Sequence, residues 1–471
     1  MSVSASAAPD EQTTGSLGDW DGPAAAELFP DLRPYQRDGV AFLVRRNAAL
    51  LADEMGLGKT VQTAVALDVV LKQPGRRRAL IVCPASLRLN WERELKRWAP
   101  DLTVKRIRGS RSDREAYYRL PIPVLIASYE QLRADAPAIS NLVSFDVVVL
   151  DEAQRIKNRH SSTALACTIL QRKASWALTA TPVENSPDDL TSVLSFIKPG
   201  LARPGIPRTE LHERMKPYFF RRRKRDVLPE LPPIIEQVMP VELEGEQHEA
   251  YEAVWDSRTG LGADGHAVTE VSMLALITEL KQLCNFHEPS GESVKGDVLK
   301  TILDSTSEAD DKIIVFSQYV ETLRWLAEQN TRRPSALFHG GLSEVERDQI
   351  VQEFENQPGP RVLYVSLRAG GVGLNLQAAS TVVMFDRWWN PAVEDQAIQR
   401  AHRFGRDRPL YVVKFQVVNS IEERIADVLR DKRVTIDEYT EGADNAEVPR
   451  LDRQELLRIL DIGPPRENSV E

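Results

Sequence analysis

The stretch Ala48-Ala49-Leu50-Leu51-Ala52-Asp53-Glu54-Met55-Gly56-Leu57-Gly58-Lys59-Thr60 decides the fold of this chain. A short apolar run leads into a glycine-rich turn, and a helical pattern begins after it. Glycines let backbone N–H groups approach phosphate oxygens, and a helix N-terminus favours negative charge. The stretch therefore predicts a strand, a phosphate-binding loop and a helix. The strict pattern has Gly where Asp53 stands, so an ordinary strand–helix turn stays open on this stretch alone.

Short β-rich runs recur along the chain, and each is followed by a turn and a helical pattern. Residues from about 200 to 290 interrupt this rhythm and read mostly as helices. The runs are Ala48–Leu51, Ala79–Val82, Val124–Ala127, Val147–Leu150 and Ala174–Leu178 before the interruption, and Lys312–Phe316, Ser335–Phe338, Arg361–Val365, Thr381–Phe385 and Tyr411–Val418 after it. Such alternation predicts an α/β fold with two doubly wound parallel-sheet lobes and a helical insertion between them.

Composition limits the classes of partner and compartment. The chain has 471 residues and a net charge of −9, which excludes a uniformly basic nucleic-acid coat and leaves only local basic tracks. Three widely separated cysteines, Cys83, Cys167 and Cys284, give no disulfide framework or zinc spacing and fit a reducing cytosol. Neither a membrane span nor a secretory signal is recognisable, so we expect a cytoplasmic protein, associated with the nucleoid if prokaryotic.

A carboxylate pair follows the most apolar of the predicted strands. Val147–Leu150 is typical of a strand buried on both faces, and it ends in Asp151 and Glu152. In open α/β sheets ligands bind at the carboxyl ends of the strands. We expect Lys59 to reach the β- and γ-phosphates of a nucleotide and Thr60 with Asp151 to bind Mg²⁺. Glu152 would orient and deprotonate the attacking water.

Motifs in the order typical of the Snf2-like branch of superfamily two run from about Leu32 to Arg406, and the chain resembles a compact, prokaryotic or phage member of that family. The pattern Ala52–Thr60 is characteristic of the family and accounts for Asp53. Its adenine-recognition segment resembles Leu32–Gln36, which implies that Gln36 reads the adenine edge. Nucleotide contacts are also implied for Gly56, Gly58, Lys59, Thr60 and Gly373.

The resemblance implies two RecA-like lobes. Residues 1–27 would form a disordered arm, 28–199 the ATP-binding lobe, 200–294 the helical insertion and linker, 295–435 the second lobe, and 436–471 an acidic tail with a short helix at Arg453–Leu460. Leu178–Pro182 resembles the segment that links hydrolysis to lobe movement. Two positions depart from the family, since Ala180 stands for the usual Gly and Gln154 for the more frequent His.

Two arginines are the candidate fingers of the second lobe. Arg400 and Arg403 are three positions apart, so we expect them to share one helix face and to fork onto phosphate oxygens at the lobe interface. The family usually has Gln where Arg406 stands, and no role is assigned to it. For Trp388 and Trp389, packing and the positioning of DNA both stay open.

Base-independent tracking requires contacts with the phosphate backbone rather than with base edges. The candidate contacts lie in short loops and in a glycine-dense segment of the second lobe. They are Ser86, Trp91, Ser128, Arg368, Gly370 and Gly371. The basic run from Arg221 to Pro232 is either solvated surface or, by resemblance, an interlobe brace.

Together these features predict a DNA-dependent ATPase that uses ATP and Mg²⁺ to translocate along double-stranded DNA and to remodel protein–DNA complexes. We expect a monomer on its own, with partner proteins supplying specificity and with no membrane contact. Two alternatives stay open. One is a strand-separating DNA helicase, and the other is a nucleotide-gated scaffold with little turnover, which the departures at Gln154 and Ala180 motivate.

Overall fold

The computed structural model describes residues 29–180, 187–203, 205–257, 269–305, 311–330, 332–356, 359–370, 376–389, 391–439 and 453–461. The predicted disordered arm, residues 1–27, lies outside the described residues, as does most of the predicted acidic tail. The described residues form two compact units. The first lobe comprises the described residues up to Ala180 together with Leu190–Arg223, and the second lobe comprises residues 187–189 and those from Lys224 onward.

The first lobe is built on a seven-stranded sheet with the order β3-β4-β2-β5-β6-β1-β7, in which every pair of neighbours is parallel. Its elements are α1 (Pro34–Val44), β1 (Ala48–Leu51), α2 (Lys59–Leu71), β2 (Ala79–Cys83), α3 (Arg88–Trp98), β3 (Val104–Arg106), α4 (Arg111–Arg119), β4 (Val124–Ser128), α5 (Tyr129–Ile139), β5 (Ser144–Asp151), α6 (Ser162–Thr168), β6 (Gln171–Leu178), α7 (Pro187–Ile197), α8 (Arg208–Met215) and β7 (Phe219–Phe220). Its central strands are buried, as expected for a parallel sheet covered on both faces.

The second lobe contains a six-stranded sheet with the order β10-β11-β9-β12-β13-β8, again parallel throughout. Its elements are α9 (Lys224–Val227), β8 (Ile234–Val241), α10 (Gly245–Ser257), α11 (Glu270–Asn285), α12 (Val294–Ser305), β9 (Lys312–Ser317), α13 (Val320–Gln329), β10 (Ser335–Phe338), α14 (Glu344–Glu355), β11 (Val362–Ser366), α15 (Leu367–Gly370), β12 (Ala379–Met384), α16 (Pro391–Ala401), β13 (Leu410–Val417), α17 (Ile421–Tyr439) and α18 (Arg453–Ile459). Apolar side chains of α10, α11, α17 and α18 form a further core against the end of β13.

The predicted fold class is confirmed, because both alternating regions form doubly wound parallel sheets. Residues 200–294 are less uniformly helical than their pattern predicts, since β7 joins the first sheet and β8 joins the second. β8 is an edge strand whose central residues are exposed, and it contains Pro240. Apolar and polar residues alternate only weakly along it, so its local sequence does not predict a strand. Its eight-residue pairing with β13 determines its conformation. Within the described part of the chain, every helix is too short or too polar to cross a bilayer.

Candidate functional site

The glycine-rich loop runs from the end of β1 to the start of α2 and follows the backbone that a phosphate loop requires. Gly56 and Gly58 have φ values of 88° and 78°, a left-handed region that side chains rarely adopt. Gly58 immediately precedes α2, so the first N–H groups of that helix are directed toward the loop. The Lys59 ammonium donates to the carbonyl oxygens of Asp53 at 2.6 Å and Glu54 at 3.5 Å, which folds its side chain back over the loop.

Asp53, which replaces the glycine of the strict pattern, is a buried anchor. Its side chain is fully buried and accepts hydrogen bonds from the Gln62 amide at 3.1 Å and from the Arg222 backbone N–H at 3.1 Å. The Arg222 guanidinium also forms an ion pair with both carboxylate oxygens. Because Arg222 in turn donates to the Tyr35 carbonyl and to Gln62, Asp53 connects the loop to both neighbouring helices.

Gln36 lies beside the loop, where the sequence predicts a reader of adenine. Its amide oxygen accepts from the Arg33 N–H at 3.1 Å and so caps α1. Its amide nitrogen is 2.6 Å from the position that a Cβ atom would occupy at Gly58. A side chain at position 58 would therefore displace Gln36, so the glycine serves both the backbone and this close approach.

The carboxylate pair lies at the same edge of the sheet, since β1 and β5 flank β6 and all three run parallel. The Asp151 carboxylate accepts from the Trp91 indole at 2.8 Å and from the Glu152 N–H at 3.0 Å. Burial raises the pKa of Asp151 to about 6, the neighbouring Glu152 charge adds to this, and Trp91 and Lys59 oppose it. The positive charge of Lys59 therefore acts on the Asp151 carboxylate at this edge of the sheet.

Gln154 bridges the carboxylate pair to the end of β6. Its amide donates to the Glu152 carboxylate at 2.7 Å and accepts from the Thr179 hydroxyl at 2.9 Å. Glu152 itself has a φ of 53°, an uncommon conformation for a residue other than glycine. Gln thus supplies both a donor and an acceptor where the resemblance favours His. Thr181 and Pro182, the end of the predicted coupling segment, lie outside the described residues.

Two predicted DNA contacts require correction. Trp91 is fully buried and its indole is engaged by Asp151, so its side chain cannot reach a nucleic acid. Ser128 is also buried, and its hydroxyl accepts from the Gln131 N–H as the N-cap of α5. Ser86 lies in a short 3₁₀ turn, Ala85–Leu87, and is partly exposed.

The prediction that Arg400 and Arg403 share one helix face is wrong, because α16 ends at Ala401. The Arg406 guanidinium donates to the carbonyl oxygens of Ala401 at 3.2 Å, Gln377 at 3.0 Å and Ala379 at 2.6 Å, which satisfies the helix end and binds the following segment to β12. Arg400 is therefore on the helix and is buried, whereas Arg403 is in the segment after it and is partly exposed.

The glycine-dense segment of the second lobe is only partly described. Arg368 and Gly370 lie in α15 directly after β11, while Gly371 and Gly373 fall outside the described residues. Trp388 and Trp389 both pack against cores of this lobe. Trp388 packs against the core of the second sheet, and Trp389 packs against the helical core with the Lys281 ammonium 4.5 Å from its ring centre.

The basic run contributes a buried contact to each lobe. Arg222 binds Asp53 in the first lobe, and Lys224 donates to the His402 carbonyl at 2.6 Å and to Gln399 in the second. The amino-acid sequence predicts neither contact. The run of basic residues marks these positions as unusual, but no local pattern identifies Asp53 or His402 as their partners, because both are distant along the chain.

Comparison with known families gives two matches. The SNF2-related domain matches residues 35–204 and 207–288, and the helicase conserved C-terminal domain matches residues 294–405. An uncharacterized ATP-dependent helicase of Mycoplasma pneumoniae is 35% identical over 455 residues, which cover 91% of this chain and 44% of that protein. The ISWI chromatin-remodeling complex ATPase ISW2 of Saccharomyces cerevisiae is 30% identical over 486 residues, covering 92% and 43%.

Among solved structures, the SWI2/SNF2 ATPase core of Sulfolobus solfataricus in complex with dsDNA is 30% identical, with 92% of this chain and 97% of that chain covered and a TM-score of 0.42. The chain spans less than half the length of the two relatives named above. The SNF2-related match alone accounts for more than half of the chain, and this protein therefore belongs to the SNF2-related family.

Proposed function

We propose that this chain is an ATP-dependent double-stranded DNA translocase that couples ATP hydrolysis to movement along DNA and to remodelling of protein–DNA complexes. The observation that carries the proposal is the arrangement at one edge of the first sheet. There the loop with Lys59, the carboxylates Asp151 and Glu152, and the Gln36 amide lie together. This arrangement suits a nucleoside triphosphate, because it combines phosphate, metal and base contacts.

The residues of the first lobe have distinct roles in this proposal. Lys59 leaves the loop carbonyls to bind the β- and γ-phosphates. Thr60 and Asp151 offer hard oxygen ligands of the kind that Mg²⁺ prefers, so this pair fits the ion. When bound, Mg²⁺ neutralises charge that develops on the transferred phosphoryl group. Glu152, held by Gln154, orients the attacking water and accepts its proton.

In the second lobe we assign Arg400 and Arg403 as the arginine fingers, even though only Arg400 is on α16. Arginine fingers raise phosphoryl-transfer rates by about 10³ to 10⁵. Ser86, Arg368, Gly370 and Gly371 are the proposed contacts with the DNA backbone. Such contacts need no base readout, which suits movement along any sequence.

The relatives support the choice of substrate class. One is named an ATP-dependent helicase and another a chromatin-remodeling complex ATPase. Partner proteins are the proposed source of target specificity.

The test is the steady-state ATPase rate of the purified chain with linear duplex DNA, single-stranded DNA or RNA. We expect duplex to stimulate hydrolysis most, and Lys59→Ala and Glu152→Gln to abolish it. Stimulation by single strands or RNA alone would reject the proposal. A forked duplex in the same assay decides the helicase alternative, because a translocase leaves the fork intact while hydrolysing ATP.

A further inference from the structure

Asp151 receives an aromatic donor from each of the two first-lobe segments that the sequence assigned to DNA. The Trp91 indole of α3 donates to its carboxylate at 2.8 Å, and the Tyr129 hydroxyl of α5 donates to its backbone carbonyl at 2.8 Å. Both aromatic side chains are buried. The two donors hold the side chain and the backbone of one residue, so together they fix the direction of the carboxylate.

The two segments are also joined to each other. The Arg88 guanidinium, at the start of α3, donates to the carbonyl of Ala85 at 3.2 Å and to the Gln131 amide oxygen at 3.2 Å. Gln131 forms the capping box of α5 with Ser128, which directly precedes Tyr129. The 3₁₀ turn that carries Ser86 is therefore linked by hydrogen bonds to the two helices that carry the aromatic donors.

Because Trp91 is buried, its hydrogen bond to Asp151 is shielded from water and has a large effect on the carboxylate. The indole contacts a carboxylate that is itself nearly inaccessible, and hydrogen bonds to charged groups are about twice as strong as neutral ones. Packing alone requires no donor at this position, since Leu87 and Leu95 occupy the same helix face and are apolar. The indole N–H is thus an addition to the core, directed at one residue of the proposed metal site.

We propose that Trp91 and Tyr129 are positioning residues that couple duplex occupancy of the turn carrying Ser86 to the orientation of the Asp151 carboxylate. This inference rests on the proposed function, because it takes the turn carrying Ser86 as the DNA-facing part of the first lobe. It assigns the two aromatic residues a role in activation by DNA and no direct contact with it.

The test compares Trp91→Phe and Tyr129→Phe with a matched control, Trp176→Phe. Trp176 is also fully buried in the first lobe, and its indole donates to the Arg46 carbonyl at 2.9 Å, away from the carboxylates. ATPase rates are measured with and without linear duplex DNA, and at a series of Mg²⁺ concentrations. The readout is the ratio of the stimulated to the basal rate.

We expect Trp91→Phe to lower that ratio roughly tenfold or more, the effect of losing a hydrogen bond to a charged group. It should also raise the Mg²⁺ concentration for half-maximal rate. Tyr129→Phe should lower the ratio by roughly threefold, since its partner is a neutral carbonyl. Trp176→Phe should keep the wild-type ratio even if its melting temperature falls.

An unchanged ratio in Trp91→Phe, or an equal fall in Trp176→Phe, overturns the inference. If circular dichroism shows that Trp91→Phe does not fold, Tyr129→Phe decides, because it removes a single oxygen atom. A wild-type chain without duplex stimulation overturns the proposed function and the inference with it. Normal wild-type stimulation with unchanged variant ratios overturns only the inference.

Discussion

Arg222 and Asp53 form a buried ion pair beneath the phosphate loop, although 169 residues separate them in the chain. Asp53 is completely buried and the Arg222 side chain is only 11% exposed. The same guanidinium stacks 4.5 Å from the Phe220 ring centre, which fixes its plane. The loop that we assign to ATP is thus held in place by a residue near the C-terminal end of the first lobe's sequence.

Arg222→Ala should lower the free energy of unfolding by about 3–5 kcal/mol, because it leaves a buried carboxylate without its partner. Adding Asp53→Asn to it should recover part of that loss, since the uncompensated charge is removed. Arg225→Ala is the control from the same basic run, because its pair with Asp226 is exposed and should contribute about 0–1 kcal/mol. Urea unfolding of the full chain measures all four proteins. Equal losses for Arg222→Ala and Arg225→Ala would contradict this assignment.

Gly58→Ala should weaken ATP binding because its side chain would displace Gln36, an effect separate from backbone strain. Gly58 and Gly75 have φ values of 78° and 77°, so alanine at either position should cost about 1–2 kcal/mol of stability. Only at Gly58 would the new Cβ meet Gln36, whereas nothing lies within 4 Å of it at Gly75. We expect a KM for ATP raised roughly tenfold in Gly58→Ala, equivalent to about 1.4 kcal/mol, and unchanged in Gly75→Ala. Equal KM values for ATP in the two variants would show that the contact between position 58 and Gln36 has no role in ATP binding.

Gln154→Leu should lower kcat while leaving the KM for ATP nearly unchanged. The substitution keeps the volume but removes the hydrogen bonds to Glu152 and Thr179. The bond to the Glu152 carboxylate is worth about 1.5–3 kcal/mol and the bond to Thr179 about 0.5–1.5 kcal/mol, so kcat should fall roughly 30- to 2000-fold. Thr179→Val removes one of the two bonds, and the double variant should be less impaired than the sum predicts. A change confined to KM, or additive effects, would show that Gln154 does not position Glu152.

Arg406→Ala should destabilise the second lobe by about 2–4 kcal/mol, since it removes several hydrogen bonds at once from the end of α16 and the start of β12. It should also lower duplex-stimulated kcat, because Arg403 lies in the segment between Ala401 and Arg406 that these hydrogen bonds hold in place. Arg332→Ala is the control, as its exposed contact with Asp304 at 3.4 Å contributes little. Urea unfolding and ATPase assays test both effects. A urea-unfolding curve of Arg406→Ala equal to that of the wild type would contradict the structural role assigned to that residue.

The sequence predicts the features that depend on local spacing. The alternation of strands and helices marks both sheets, and Ala48–Leu51 and Ser335–Phe338 agree with the structure at both ends. The loop before Lys59 and the pair Asp151–Glu152 follow strands directly, and parallel topology then brings them to one edge. The strand β8 could not be predicted in this way, because its pairing with β13 comes from a distant part of the chain.

The errors arise where a side chain has two possible surroundings. Trp91 fits a DNA-facing helix by its basic neighbours, yet Leu87, Trp91 and Leu95 form a buried stripe at four-residue spacing. That stripe was available in the sequence as a core signal. The end of α16 was not, because it depends on Arg406 reaching carbonyls of Gln377 and Ala379.

The most direct measurement of the central claim is ATP-dependent displacement of a third strand from a triplex on linear duplex DNA. A chain that moves along the duplex must strip the third strand without separating the other two. We predict release by the wild-type protein with ATP, and none with Glu152→Gln or without nucleotide. Duplex-stimulated ATPase activity without any strand release would contradict translocation, and release that does not require ATP would contradict its coupling to hydrolysis.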